Sequence, residues 1–418
     1  MVDPVVGGRH GMGDVARQRP ALRVCVATVG HVTGPASPSK SLLRLAGTYR
    51  LGRQPSRVGN AVWPEHRGLV ALIATYVLAS ALAGPLMGWR PPSDELLGFV
   101  SSLVCPLIYA TLYLFALRRR AEQGGVAGVG PAWAAAWQTA RRGAWTGERL
   151  AGAAIVLGLF PLFAASFTAW KLSIPIVHPF EWDARLAAAD RWLLGGHDAW
   201  ELTHVLFGGQ WATRLLDVLY LPAWAAQQSL VLTAAAFAAP GAFRRRFLSS
   251  YFLTWAVAGT LLAIGFASVG PIFVGRIAGT AEDAAVYAPL AAKLTALHAT
   301  YPLFSVRGQE ILAAIATGRL QIAGGGVSAM PSLHVATAVL IAVAARHVSR
   351  TWAGVTTAYA VVVVVGSVHF GWHYALDSIV GAAVALVIWQ LTRNRLEPDA
   401  RWRAPIDRRR LPSISRAA

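Results

Sequence analysis

Charge is what this sequence has least of. Asp, Glu, Lys and Arg make up 14% of its 418 residues, and only 20 of them are acidic. Soluble globular proteins carry about 25% charged residues, so the two or three soluble domains that this length suggests are excluded. Cysteine is nearly absent as well. Cys25 lies in a polar tail and Cys105 in an apolar run, which supplies neither a disulfide framework nor a thiolate metal site. There is no internal repeat. The short apolar stretch 24–32 ends in no cleavage-like site, so the N-terminus does not read as a signal peptide.

What is abundant is apolar surface, at 55% of the residues, and it falls in blocks. Several charge-free runs reach 18 or more residues, enough to cross a bilayer core of ~30 Å at about 1.5 Å per residue. Eight segments are read, at about 68–89, 96–117, 150–170, 215–240, 248–274, 331–349, 351–370 and 374–391. Backbone groups inside lipid must be satisfied within the segment, so these are expected to be helices. The expectation is an all-α polytopic membrane protein with about eight transmembrane helices. Of the 38 basic residues, 29 then lie on the side of the N-terminus and 9 on the other. Arg118–Arg119–Arg120 and Arg244–Arg245–Arg246 lie close to span ends and set the sense: both termini cytoplasmic, in a protein expected in the plasma membrane. The net charge of +18 is thus a topology signal, and no nucleic acid is expected as a partner.

Around the spans, residues 1–66 and 393–418 read as basic cytoplasmic tails, the first disordered, and 67–120 as a two-span accessory hairpin. Residues 121–149, with Trp133, Trp137 and Trp145 beside Arg141 and Arg142, suit a segment lying in the cytoplasmic interface. The outer segment 171–214 interleaves Trp182, Trp192, Trp200 and Trp211 with Glu181, Asp183, Asp190 and Asp198. It reads as an amphipathic lid, or equally as an aromatic belt that anchors the protein.

Two clusters of ionisable residues stand at span ends on the expected outer face, where such side chains are costly and mark function. Met330-Pro331-Ser332-Leu333-His334 opens the sixth span. Proline suits a first helical turn, and the free N–H groups of that turn attract an anion. Gly371-Trp372-His373-Tyr374-Ala375-Leu376-Asp377 opens the last span. His373 and Asp377 stand four apart, so on a helix they share a face, and a carboxylate beside an imidazole holds one tautomer and raises its basicity. The same pair also suits a local hydrogen bond or half of a metal site. Two spans join the clusters, which brings both to one membrane face. Two histidines and an aspartate at an anion-binding helix start describe phosphoryl transfer through a phosphohistidine.

At these residues the chain resembles the type 2 phosphatidic acid phosphatase superfamily, and more closely its branch containing the inositol phosphorylceramide synthases. The family pattern is matched by Pro331-Ser332-Leu333-His334 and by Gly371-x-His373-x-x-x-Asp377, and Gly270-Pro271 resembles a Gly-Pro of the synthase branch. The resemblance covers residues 150–392 and implies a six-helix catalytic core. It implies His373 as nucleophile, Asp377 as its partner and His334 as the leaving-group acid, with Ser332, Gly270 and Pro271 at the substrate. The chain also departs from the family. The lysine and Arg-Pro of the phosphatase branch are missing around 260–275, Ser367 stands where an arginine is expected, and leucine replaces glycine at 333. A thinner cationic cradle favours a singly charged phosphodiester over a monoester dianion. Arg276, Arg307 and Arg319 of the outer loop, with Lys293, are candidates to replace the missing charge. His369 is a candidate phosphate contact with packing as the plainer reading, Gly324-Gly325-Gly326 a candidate cradle, and Asp217 a candidate acceptor ligand.

The implied function is transfer of a phosphorylated head group, such as phosphoinositol, from a phospholipid donor to a lipid or polyol acceptor at the extracytoplasmic face. The alternatives are hydrolysis of a lipid or polyprenyl phosphoester and a non-catalytic transporter or scaffold on the same fold. No cofactor and no metal is expected, because coordination would occupy the His373 nitrogen that a covalent mechanism needs free.

Overall fold

The structure, a computed structural model, describes residues 54–87, 147–320 and 325–396. The second expected span, the interfacial tryptophans Trp133, Trp137 and Trp145, Arg118–Arg119–Arg120 and both cysteines lie outside these residues, as do most of the two tails. The described chain is helical, with one isolated bridge between Val274 and Ala278 and no strand among the described residues. Helix α1 is Gln54–Leu86, so it begins within the segment expected to be a disordered tail. Then follow α2 Gly147–Val177, α3 Asp183–Leu193, α4 Ala199–Phe207, α5 Gln210–Tyr220, α6 Pro222–Phe237 and α7 Ala242–Ala256. After a π-helical stretch, α8 is Ala281–Thr300, α9 Phe304–Ala316, α10 Leu333–Ala345, α11 Arg350–His369 and α12 Ala375–Leu396. The protein is an all-α polytopic membrane protein. Among the described residues five helices are long and apolar enough to cross a bilayer: Val62–Leu86, Gly147–Val177, Ala242–Gly265, Arg350–His369 and Ala375–Arg393.

Three expected spans come out differently. The fourth is two helices, because Pro222 has no N–H to continue α5 and instead starts α6 as its first residue. The fifth ends near Gly265 rather than 274, and Gly270-Pro271 sits in the loop that follows. The sixth, α10, has 13 residues, or about 20 Å at 1.5 Å per residue, well short of a bilayer core. Its small and β-branched side chains (Val335, Ala336, Ala338, Ala342 among them) are buried, and α7, α11 and α12 pack around it. Protein rather than lipid surrounds it, so the irregular backbone of residues 325–331 precedes it without leaving polar groups in hydrocarbon. That irregular segment carries part of the site.

The outer segment 171–214 contributes α3, α4 and part of α5. Trp182 and Trp200 pack on the core, whereas Trp192 and Trp211 are exposed. At the opposite end of the bundle, Arg244 and Arg246 are buried. Arg244 donates to Glu65 at 2.8 Å and to the carbonyls of Ala235 and Ala236, and Arg246 donates to the Trp389 carbonyl with its guanidinium 3.6 Å from the Trp389 ring centre. Two arginines read as topology signals therefore also tie α1, α6, α7 and α12 together.

Candidate active site

His373 lies in the turn between α11 and α12. Its Nδ1 is 2.8 Å from the Ala329 carbonyl, an oxygen that only accepts, so Nδ1 carries the proton and Nε2 keeps its lone pair. The sequence pointed to Asp377 for this task. Asp377 Oδ2 is instead 3.5 Å from Nδ1 and accepts the Tyr374 N–H at 2.9 Å, while Oδ1 has no partner. The difference has a local cause: α12 begins at Ala375, so His373 precedes the helix and the four-residue spacing is not helical throughout. Burial holds the His373 imidazole down at about 3, the Ala329 bond opposing and the charge of Lys171 adding to the effect. An unprotonated Nε2 is the form that attacks phosphorus.

His334 sits in the first turn of α10, half-buried against Trp224 (ring centres 4.3 Å apart) and Tyr220 (5.2 Å). Its ring centre is 5.8 Å from that of His373, with the planes at 65°. At that separation one phosphate group reaches both rings, given reacting atoms ~3–3.5 Å apart. Ser332, the N-cap of α10, accepts from Val335 N–H, and its own N–H donates to the Asp377 carbonyl at 2.9 Å. Ser332 thus fastens the two motifs together, and its described bonds are structural.

Buried carboxylates from the outer segment place these loops. Asp183 accepts from Val269 N–H, Gly270 N–H and the Tyr374 hydroxyl at 2.9, 2.8 and 3.0 Å. Asp190 accepts from Ala375 and Leu376 N–H at 2.6 and 2.9 Å, capping the start of α12 from a distant helix. Burial raises both carboxyls above the usual range, against the pull of these hydrogen bonds. Asp217, a candidate acceptor ligand, does the same for α9 through Phe304 and Ser305 N–H. Gly270 has φ +90°, and a Cβ there would lie 2.5 Å from the Trp372 carbonyl oxygen. Ile272 N–H then donates to the Gly371 carbonyl at 2.9 Å, so Gly270-Pro271 brings its loop against the His373 turn. Charge spacing alone did not reveal these aspartates, because their partners are backbone groups distant in sequence.

The other expected substrate contacts are dispersed. Arg276, Arg307 and Arg319 are exposed, and Arg319 donates to Thr317 next to it. His369 stacks on His204 with ring centres 4.0 Å apart and bonds the Thr213 hydroxyl at 3.1 Å, so it serves the α4–α5–α11 packing. Ser367, where an arginine was expected, bonds Ser378 and the Val364 carbonyl, and its own carbonyl accepts the Trp372 and His373 N–H groups. A cation does approach the His373 turn: Lys171, in the last two turns of α2, donates to the carbonyl of Ser328, the residue before Ala329, at 3.4 Å. Gly325 and Gly326 of the expected cradle pack against Ile315 and Lys171, and Gly324 lies outside the described residues. No group of three or more His, Cys, Asp and Glu side chains among the described residues is arranged to hold a metal.

Residues 184–391 match the family model of the PAP2 superfamily. No curated protein and no solved structure matches the chain. The match spans both histidine motifs together with Asp190 and Asp217, and begins one residue after Asp183; this membrane-embedded chain thus carries a PAP2 superfamily domain and is an enzyme of the phosphatase and phosphotransferase kind.

Proposed function

We propose that the protein transfers a phosphorylated head group, such as phosphoinositol, between lipids or from a lipid to a polyol, through a phosphohistidine at His373. The observation that carries this reading is the fixed His373 ring, Nδ1 bonded to Ala329, facing His334 across 5.8 Å. In the first step the Nε2 lone pair forms the N–P bond as the P–O bond to the lipid alcohol breaks, and His334 gives that oxygen its proton. The negative charge of the bound phosphate favours the imidazolium form of His334 that this requires. In the second step an acceptor hydroxyl returns its proton to His334, attacks phosphorus and releases His373. Trp224 and Tyr220, whose rings pack at a tilt against His334, give the leaving alcohol an apolar wall.

Hydrolysis is the second reading: the family match suits it equally, with water taking the acceptor's place. Incubation of the purified protein with labelled phosphatidylinositol and candidate acceptors separates the two. A new phosphodiester supports transfer, free inositol phosphate supports hydrolysis, and no product from any phospholipid sinks both. The site is proposed to face the extracytoplasmic side, with both termini inside. A cysteine placed in 280–320 should then react with an impermeant reagent added to intact cells, and reaction only after permeabilisation would reverse the orientation.

A further inference from the structure

The two histidines lack the arginine expected six residues before His373, and the outer-loop arginines are exposed, so the phosphate charge must be met from elsewhere. We propose that Lys171, on α2 and outside the matched residues 184–391, binds the phosphate oxygens of a lipid phosphodiester between His334 and His373. The inference rests on the phosphoryl-transfer reading and adds a residue to it. Three observations converge. Lys171 is half-buried, and Nζ makes one long bond, 3.4 Å to the Ser328 carbonyl, with no carboxylate in reach among the described residues. Ser328 adjoins Ala329, whose carbonyl holds His373, so lysine and imidazole are anchored on neighbouring peptide units. Gly326, at φ +101°, lets this loop lie against the Lys171 turn, where a Cβ would come within 2.7 Å of the lysine Cβ.

The charge of Lys171 also acts on both imidazoles, as expected of a cation that shares a small space with them. A half-buried ammonium with no protein anion is costly, and an incoming phosphate removes that cost. An ammonium has three donors, and two of them have no partner among the described residues. One positive charge matches the single negative charge of a diester and undercompensates a monoester dianion, which assigns the substrate class.

The test uses the full chain in dodecyl maltoside micelles, equilibrated by dialysis with radiolabelled inorganic phosphate. Lys171→Met should weaken binding about tenfold or more, Lys171→Arg should restore it to within about threefold, and Arg350→Gln, exposed at the far end of α11, should leave it unchanged. Phosphatidylinositol should displace the label. Bound phosphate that the lipid fails to displace would overturn the lipid assignment. Lys171→Met binding phosphate as the wild type does would overturn the lysine assignment, whereas His373→Gln retaining turnover would overturn only the phosphohistidine. Absence of binding to the wild type would overturn the site.

Discussion

At the end of the bundle where α6 stops and α7 begins, buried arginines take up helix carbonyls. At the opposite end, around the two histidines, buried aspartates take up helix N–H groups. Arg244 bonds the carbonyls of Ala235 and Ala236 in the last turn of α6, and Asp190 bonds the N–H groups that open α12. Each choice follows from the helix itself, whose final carbonyls and first N–H groups lack partners and carry opposite partial charges. The ends differ in what is left over. Arg244 is neutralised by Glu65. On the histidine side Asp183 and Asp190 accept mainly from backbone N–H groups, while Lys171 has no carboxylate partner among the described residues. One end is closed as a structural joint, and the other keeps a charge for a substrate to complete.

The contrast breaks most clearly at the histidines. His373→Gln is expected to lower turnover on a lipid phosphoester by ~10⁴-fold or more, and His334→Gln by ~10²–10⁴-fold, with melting temperatures close to the wild type. A His373 variant with near-normal turnover would place the chemistry elsewhere. At the other end the signature inverts. Arg244→Met strands the buried Glu65 carboxylate and should cost roughly 3–5 kcal/mol in denaturant unfolding, while turnover per folded molecule stays near the wild-type value.

Asp190→Asn falls between the two. It weakens the cap on α12 and is expected to cost ~1–3 kcal/mol and to slow turnover about tenfold, because the same helix start positions His373 and Asp377. Asp217→Asn removes the equivalent cap from α9 and should cost similar stability with a smaller fall in turnover. Equal turnover losses in the two variants would mean that Asp190 does no more for the site than any cap.

The smallest expected effect is a pH slope. The folded His373 titrates near 3 and an unfolded histidine near ~6.5, so as pH falls below ~6.5 the unfolded chain takes a proton that the folded chain refuses. Stability from this group is complete above pH ~6.5 and declines below it. His373→Gln removes the contribution, and its melting temperature should fall less between pH 7 and pH 5 than that of the wild type. Parallel declines would show that His373 accepts its proton without unfolding.

The sequence alone carried the all-α membrane class, because uncharged runs of bilayer length admit only helices. It also carried the two histidine motifs, whose chemistry lies in residues a few positions apart. Spacing failed where partners are remote. Asp183 and Asp190 read as part of a lid or belt because nothing local shows that they bond Gly270 and Ala375. Arg244 and Arg246 read as interfacial charges, although burial makes them joints. Asp377 was assigned the tautomer that Ala329 fixes, because a helical spacing was assumed where the helix had not yet begun. Lys171 was invisible as a site residue, since only the packing of α2 against the 325–331 segment brings it to the histidines. Hydrophobic period and motif spacing are properties of neighbouring residues and are written in the chain. Which backbone group a buried charge meets depends on long-range packing, and only the tertiary structure decided it.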